Sequence, residues 1–281
     1  MTSHDVIHRL RKILKIKKIG HAGTLDPMAE GVLPVCIGKA TRIIQYLGTE
    51  KKYRASVQLG IITDSYDIEG EIIRQMPVNI DLDSINNAIK SFEGEIWQRP
   101  PIFSAVHYNG RRLYEFARKN IEITDIPARK IYVNSINIVD IKEKESSNPV
   151  VILDVDCSGG TYIRSIAHDL GQMLGYGACL CGLIRMQSGK FNFKDSITID
   201  DVKKKLEEGM IDKILTNPSD VIDFEKFVVN DIQFEKISHG QSFMLEGQYF
   251  SVDKVQLVYE GKLVAIAEIK ENRVCPVNVF V

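Results

Sequence analysis

The stretch that most constrains the fold runs from Lys18 to Arg42 and reads KIGHAGTLDPMAEGVLPVCIGKATR. Glycine in the interior of a helix or strand costs backbone entropy, and proline fixes φ and lacks a hydrogen-bond donor. We therefore predict that Gly20–Gly23 is neither helix nor ordinary strand interior. Pro27 biases the residue before it away from the helical region, so Asp26 is predicted to be presented from an extended or turn conformation.

Asp26 lies in the middle of this segment, between Leu25 and Pro27, and the residues alone leave two interpretations open. Aspartate is common in loops, where it caps turns, so Asp26 can be purely structural. The other interpretation is a functional carboxylate that the loop exposes. Beyond the loop, Val32–Ile37 is predicted to form a short buried strand, with Pro34 indicating a sheet edge or a bulge.

Length and composition describe an ordinary globular protein. The 281 residues suffice for one large or two smaller domains, and 44% hydrophobic with 26% charged residues allow a sizeable core. No apolar run approaches the roughly 20 residues that span a bilayer, and no apolar signal-peptide region follows Met1. We expect a cytoplasmic protein without a membrane partner.

The five cysteines indicate neither a disulfide framework nor a metal site. Their number is odd, and the Cys179–Cys181 spacing is wrong for a zinc knuckle and has no second pair to complete four ligands. Reduced, buried cysteines are the better interpretation, and no metal is predicted.

Charge is distributed unevenly although the net charge is only -1. Residues 1–60 hold 11 Lys/Arg against 4 Asp/Glu, residues 61–95 hold 2 against 8, and residues 99–130 hold 7 against 3. Solvated faces of mixed sign explain this pattern, and so does a phosphate-binding surface made by the two basic segments. The sequence leaves both interpretations open.

Hydrophobic periodicity predicts the elements of the first 223 residues. Helices are predicted at residues 6–14 after an N-cap at Thr2 or Ser3, at 40–47 before Gly48, from about Asp81, and after Gly160. Strands are predicted at residues 52–59, 71–74, 131–141 and 150–156. The polar turn Thr63–Gly70 lacks the glycine and terminal glutamate of an EF-hand, which disfavours a calcium loop.

The hydrophobic pattern of the sequence changes at about Phe224. Short apolar runs separated by glycines predict several strands, at Phe227–Val229, Gln248–Val252, Val255–Tyr259, Leu263–Ala267 and Val274–Val281. Strands at this spacing indicate a small barrel, and a purely structural C-terminal sheet is the alternative. The acidic, helical segment 200–223 is predicted to connect it to the rest of the chain.

Gly20–Pro27, followed by Ala29–Pro34, resembles the signature motif of the tRNA pseudouridine-55 synthases. In that family the aspartate of the motif is catalytic, which the resemblance transfers to Asp26. Gln98–Ala105 and Asn109–Arg118 resemble a segment that lies against tRNA, although His107 stands where the family usually carries lysine. The resemblance extends over nearly the whole chain.

Two further segments carry the resemblance. Arg164, after Gly159-Gly160, matches the family's active-site arginine, which pairs with the catalytic aspartate. Leu183 matches a buried apolar position of a third active-site segment. The family commonly has two consecutive arginines where this chain has Ile184-Arg185, so only Arg185 carries over.

The resemblance implies a set of site residues. The catalytic residues are Asp26, Tyr53 and Arg164, and the substrate-binding residues are His21, Gly23, Leu183, Arg111, Arg112 and Tyr162. The implied reaction detaches one uridine base of the tRNA T-loop from C1′, rotates it and rejoins it through C5. No cofactor and no metal are implied. Asp26 attack at C6, attack at C1′ and elimination all remain open.

The expected fold is a mixed α/β catalytic domain at residues 1–223, with a long, mostly antiparallel sheet flanked by helices. Residues 224–281 are expected to form a small PUA-like β-barrel, which the family's bacterial members use to bind RNA. The implied partner is the T-arm of tRNA, with no obligate protein partner and a monomeric state. A guide-RNA-dependent pseudouridine synthase and a non-catalytic tRNA-binding protein are the alternatives.

The N-terminus carries one more expectation. Met1–Val6 resembles an internal stretch of the family, which normally follows a first strand and a Lys-Pro-Gly turn. We expect an in-frame strand ending in Lys-Pro-x-Gly upstream of Met1, and a version extended by it to be more stable.

Overall fold

The computed structural model of the protein describes residues 1–119, 121, 123, 125–245 and 252–281. The α-helices of these residues are α1 Ser3–Leu14, α2 Leu82–Lys90, α3 Leu113–Ala117, α4 Ile163–Met173, α5 Ile199–Glu207, α6 Pro218–Val221 and α7 Asp231–Ser238. Turns of 3₁₀ helix lie at Gly38–Tyr46, Phe193–Asp195 and Ile211–Ile214. Among the described helices none is long and apolar enough to cross a bilayer.

The strands form two groups. The first nine are β1 Ile19–His21, β2 Glu30–Gly31, β3 Val35–Ile37, β4 Lys51–Leu59, β5 Ile61–Thr63, β6 Ile72–Gln75, β7 Gly94–Gln98, β8 His107–Tyr108 and β9 Arg111–Arg112. The others are β10 Arg129–Lys142, β11 Val150–Cys157, β12 Ala178–Ser188, β13 Phe191–Asn192, β14 Glu225–Val228, β15 Phe243–Met244, β16 Lys254–Tyr259, β17 Lys262–Lys270 and β18 Arg273–Val279.

The Cα positions divide into two compact units. The first contains Met1–Pro27, Leu33–Gly48 and Gly189–Val281, and the second contains Met28–Val32 and Thr49–Ser188. The domain boundary expected at residue 223 stays a prediction.

In the first unit, α1 begins after Thr2 as the sequence predicts. The Thr2 hydroxyl accepts a hydrogen bond from the Asp5 N–H at 3.2 Å, and the Asp5 carboxylate accepts one from the Thr2 N–H at 2.9 Å. This reciprocal capping satisfies two N–H groups that a helix start leaves without partners. The buried Ile7 and Leu10 of α1 then pack with Ile19 of β1 into a small core.

One prediction about the glycine-rich segment is wrong. Gly20 and His21 belong to β1, which pairs antiparallel with β3 and places Gly20 opposite Cys36. A Cβ at Gly20 would lie 3.2 Å from the end of Ile44, so the missing side chain leaves room for the 3₁₀ helix beside the strand. That helix occupies the region predicted to be helical before Gly48, and β3 starts only after Pro34.

The C-terminal sheet of the first unit has the order β14–β16–β17–β18–β15. β14 runs parallel to β16, and the other neighbours are antiparallel. Four of the five predicted strands are confirmed, and the one at Gln248–Val252 lies outside the described residues except for Val252. Helix α7, which the strand pattern does not predict, buries Ile237 in the core of this sheet.

The second unit is built on a sheet with the order β12–β4–β11–β10–β7. All of these neighbours are antiparallel, and β2 adds two residues parallel to β12. Helices α2 and α4 bury their apolar faces in the core of this sheet, with Ile85, Ile89, Ile166 and Leu170 fully or almost fully buried. The expected mixed α/β fold with a mostly antiparallel sheet is confirmed.

The five cysteines are free thiols, and Cys36, Cys157 and Cys179 are buried as predicted, whereas Cys181 and Cys275 are only half-buried. Burial raises the pKa of the Cys36 and Cys157 thiols to about 11, and that of Cys179 to about 12. These thiols therefore stay protonated near neutral pH.

Asp169 on α4 yields a prediction about stability and pH. Burial, partly offset by Arg99, raises the pKa of the folded-state carboxyl from 3.8 to about 6. The folded state therefore binds more protons than the unfolded chain between these values, and Asp169 lowers stability progressively as the pH rises from about 4 to about 6. After allowance for solvent screening, we expect the wild type to lose roughly 1–2 kcal/mol more than Asp169→Asn over this window.

Urea denaturation of both proteins from pH 4 to pH 7 measures this difference. Asp195→Asn, which removes an exposed carboxyl, is the control and should follow the wild type. Parallel pH profiles for wild type and Asp169→Asn would contradict the prediction.

Candidate active site

Asp26 lies in a loop that is anchored at both ends within the first unit. The Leu25 N–H donates to the Ser3 hydroxyl at 2.9 Å, and the Ala22 N–H donates to the Pro34 carbonyl at 2.9 Å. Asp26 itself is in neither a helix nor a strand and is half-buried, which confirms the predicted loop conformation. The loop is thus fixed by α1 on one side and by the start of β3 on the other.

His21 and Gly23 precede Asp26 in the same loop. His21 ends β1, and Gly23 has a φ of +95°, a backbone conformation that L side chains rarely adopt. The glycine at this position is therefore required by the path of the chain. Three of the predicted site residues lie together on this one segment.

Tyr53 and Arg185 form a polar pair in the second unit. The two residues are directly opposite each other on β4 and β12, and the Arg185 guanidinium donates a hydrogen bond to Tyr53. Burial lowers the pKa of Arg185, and the interaction with Tyr53 opposes this shift. An adjacent guanidinium stabilises negative charge on a phenol oxygen.

The segment after the Asp26 loop holds Arg185 from the other side. Arg185 is only 1% exposed, and its Nε donates to the Val32 carbonyl at 2.7 Å. The Val32 N–H in turn donates to the Arg185 carbonyl at 2.9 Å. Gly31 is opposite Arg185 in the parallel pairing of β2 with β12.

Arg164 makes a buried ion pair in the second unit. It is 5% exposed, and its Nη1 lies 3.2 Å from Asp67 Oδ2. The same guanidinium donates to the Ser65 carbonyl at 3.3 Å and to the Phe103 carbonyl at 2.9 Å. An arginine in the first turn of a helix opposes the helix dipole, and these acceptors account for its presence at the start of α4.

The turn Thr63–Gly70 shapes the acceptor side of that pair. The Ser65 hydroxyl donates to Asp67 Oδ1 at 2.7 Å, and the Thr63 hydroxyl donates to the Asp67 carbonyl at 2.7 Å. Asp67 is therefore held through its carboxylate by Ser65 and through its backbone carbonyl by Thr63.

Tyr162 is held at the start of α4 by one side chain. The Tyr162 N–H donates to Gln98 Oε1 at 2.8 Å, and Gln98 Nε2 donates to the Tyr162 carbonyl at 3.0 Å. The buried Gln98 thereby connects the end of β7 to the helix that carries Arg164. Within the described ranges, no three His, Cys, Asp or Glu side chains come together in a way that could hold a metal ion.

Comparison with protein families identifies the family of this chain. Residues 11–163 match the family described as TruB family pseudouridylate synthase (N terminal domain). This chain belongs to the TruB family of pseudouridylate synthases. Residues 164–221 match a second description, tRNA pseudouridylate synthase B C-terminal domain. The protein is therefore a pseudouridine synthase.

Curated relatives agree with the TruB assignment. A tRNA pseudouridine synthase B of Heliobacterium mobile is 41% identical over 271 residues, which are 95% of this chain and 86% of that protein. One of Clostridium perfringens (strain 13 / Type A) is 43% identical over 267 residues, 92% of this chain and 87% of that protein.

Solved structures share the TruB-type fold at lower identity. A chain of an H/ACA RNP bound to a substrate RNA containing 2′-deoxyuridine is 27% identical, with a TM-score of 0.74, over 100% of this chain and 82% of that one. A chain of a Cbf5–Nop10–Gar1 complex is 26% identical, with a TM-score of 0.71, over 100% and 81%.

The remaining predicted residues of this TruB-family chain lie at two places. Leu183 is buried on β12, two residues before Arg185. Arg111 and Arg112 form β9, the exposed second strand of a hairpin whose turn residues Asn109 and Gly110 have φ of +48° and +78°. Asn-Gly is a favoured sequence for such a two-residue hairpin turn.

Sequence reasoning did not include Asp67 or Gln98 among the site residues, and it carried Arg185 over from the third active-site segment without giving it a role. Arg185 is two residues after Leu183 on the same strand, so both side chains lie on the same face of the sheet. An arginine on a buried face was the feature of the sequence that could have indicated its role. Asp67 stood among several turn acids, and only the contact with Arg164 separates it from them. Gln98 carried no signal in the sequence.

The TruB motif glycine Gly31 yields a second prediction. A Cβ at Gly31 would overlap the backbone of Arg185, and the φ of +106° adds strain. Gly38 also has a positive φ, +62°, but its Cβ would meet nothing within 4 Å. Gly38→Ala therefore measures the strain alone, about 1 kcal/mol, and Gly31→Ala should cost a further 1–3 kcal/mol, roughly.

Equilibrium unfolding in urea of the two variants and the wild type measures the difference. Equal destabilisation by the two substitutions would show that β2 can move away from β12 without cost.

Proposed function

We propose that this enzyme converts uridine 55 in the T-loop of tRNA to pseudouridine, with Asp26 as the essential carboxylate. The observation that carries the proposal is the Asp26 motif in a chain that is 39–46% identical to several curated tRNA pseudouridine synthase B proteins. Those proteins are named for action on tRNA, and their similarity covers most of this chain.

The reaction is an isomerisation with no net oxidation or reduction. The C1′–N1 bond breaks, a C1′–C5 bond forms, and the proton at C5 is removed while N1 gains one. No cofactor is needed to balance these changes. The chemistry calls for an ionised carboxylate as nucleophile or base, and attack at C6, attack at C1′ and elimination all use Asp26 in this form.

Tyr53 is proposed to stack on the flipped base and to accept the proton from C5. Its hydrogen bond with the Arg185 guanidinium supports this role, because a positive charge favours the phenolate, the form of tyrosine that can take up a proton and become the neutral phenol. Leu183 supplies an apolar contact at the site. His21 fills the space that the base leaves when it is flipped out of its stack.

Arg164 is proposed to act with Asp26 and to favour its ionised form. The ion pair with Asp67 and the two carbonyl acceptors support this role, because they fix the guanidinium before substrate arrives. Gly23 and Tyr162 are assigned to substrate binding. The fixed backbone at each of them, the positive φ of Gly23 and the Gln98 contacts of Tyr162, is consistent with that assignment.

Contacts with the T-arm are proposed for each of two basic elements taken separately, α1 in segment 1–18 and the hairpin of β8 and β9 in segment 99–130. We assign residues 224–281 to a PUA-like RNA-binding domain, and the curled C-terminal sheet agrees with this. The protein is proposed to work in the cytoplasm as a monomer without an obligate protein partner.

One alternative has a specific observation in its favour. The solved structures similar to this chain include the H/ACA RNP and the Cbf5–Nop10–Gar1 complex, in which RNA or other proteins are present. The higher identity to tRNA pseudouridine synthase B favours action on tRNA alone. Turnover of a bare tRNA transcript by the pure protein decides between the two, and it also tests the non-catalytic alternative.

Asp26→Asn is expected to abolish pseudouridine formation while tRNA binding persists, because phosphate contacts supply most of the affinity. Glu30→Gln, which removes an exposed carboxylate from the same segment, is the control and should keep wild-type turnover. Chemical mapping of pseudouridine in a T-arm transcript and a filter-binding assay give both quantities. Substantial turnover by Asp26→Asn would refute the assignment.

Neutralising Arg111 and Arg112 together is expected to lower the slope of log K against log salt by about 1–2, one counterion per lost phosphate contact. The control is Lys194→Gln with Lys213→Gln, which neutralises two exposed lysines outside the proposed surface. Binding of labelled tRNA over a salt series measures the slopes. Equal slopes for wild type and the double arginine variant would place the surface elsewhere.

A further inference from the structure

Helix α4 contacts the turn Thr63–Gly70 at a second place besides Arg164. The His168 ring stacks on the Tyr66 ring, with centroids 3.8 Å apart and an angle of 16° between the planes. His168 follows Arg164 by four residues, so the two side chains lie on the same face of α4, one turn apart.

Tyr66 is placed between two of the three residues that accept hydrogen bonds from Arg164. These two acceptors are the Ser65 carbonyl and the Asp67 carboxylate. Tyr66 itself has a φ of +67°, which for a bulky aromatic residue is an outlier that persists only when its surroundings hold it. Its carbonyl accepts a hydrogen bond from the Leu180 N–H at 2.9 Å, and the stack holds its side chain.

The His168 ring contacts the turn through its face. Its Nδ1 is buried and has no hydrogen-bond partner among the described residues, and burial lowers its pKa. The ring is therefore neutral near neutral pH, and a plain aromatic ring could replace it. The charged groups that act on Tyr66 are Asp169 of the same helix and Arg99 from the segment after β7.

We infer that Tyr66 and His168 are positioning residues for the reaction: their stack fixes the turn against α4 and so holds the acceptors that orient the Arg164 guanidinium. This inference rests on the proposed role of Arg164. Without the stack, the turn can relax from the strained conformation at Tyr66. Ser65 and Asp67 then shift relative to Arg164, so the stack acts on the reaction through the Arg164 guanidinium.

The test compares variants that keep the stack with variants that remove it. Tyr66→Phe and His168→Phe keep two stacked rings, whereas Tyr66→Gly and His168→Ala remove one ring. Tyr66→Gly also permits the positive φ, so its effect reports the lost stack without added backbone strain. Met173→Ala, at an exposed position of the same helix, is the matched control.

Single-turnover rate and tRNA dissociation constant are measured for each variant below its melting temperature. We expect wild-type rates for both phenylalanine variants and for the control. The two variants without the stack should lose roughly 10- to 100-fold in rate, as displaced catalytic groups do, with an unchanged dissociation constant. If the stack had only a structural role, the alanine and glycine variants would lose tRNA affinity as well as rate. A loss of rate alone, which the phenylalanine variants do not show, therefore indicates a positioning role.

Wild-type rates in Tyr66→Gly and His168→Ala would overturn the inference, and so would an equal loss of rate in His168→Phe and His168→Ala. If His168→Ala does not fold, Tyr66→Gly and His168→Phe decide by the same criteria. Failure of the proposed function is distinguishable, because in that case the wild type itself forms no pseudouridine in tRNA.

Discussion

The second unit depends on how one buried guanidinium is satisfied. Burying a charged group costs on the order of several kcal/mol unless its hydrogen-bond donors are paired with acceptors. Arg185 finds them in the Val32 carbonyl and in Tyr53. The motif segment, β4 and β12 therefore stabilise one another through Arg185. The absence of a side chain at Gly31 permits the close approach of the motif segment to the β12 backbone.

Arg164 shows the same principle with a different solution. Here a carboxylate neutralises the buried guanidinium, and two backbone carbonyls fix its orientation. Arginine suits both positions because its planar fork presents several donors at fixed angles. The two arginines hold different elements in place. Arg185 connects the motif segment to β4 and β12, and Arg164 connects α4 to the turn after β5.

Sequence reasoning succeeded where a local rule decides the outcome. Thr2 caps α1 as expected, and the helix predicted from about Asp81 begins at Leu82. Strands β4 and β11 follow the predicted strand periodicity. It failed at Gly20, because the packing of Ile44 against a strand glycine is a tertiary contact. It also passed over Gln98 and Asp67, whose roles come from partners 64 and 97 residues away in the chain, a distance over which a pattern of single residues carries no information.

The pairing of β2 with β12 has a consequence for synthesis on the ribosome. The Val32 carbonyl and the Arg185 side chain that bonds to it are 153 residues apart in the chain. At typical elongation rates, the motif segment therefore waits roughly 8–30 s for its partner strand to be made. During this interval Val32 and its neighbours expose backbone groups that β12 later pairs with. The segment that carries the family signature is thus a candidate binding site for chaperones in the nascent chain, although the finished enzyme has no such exposed segment there.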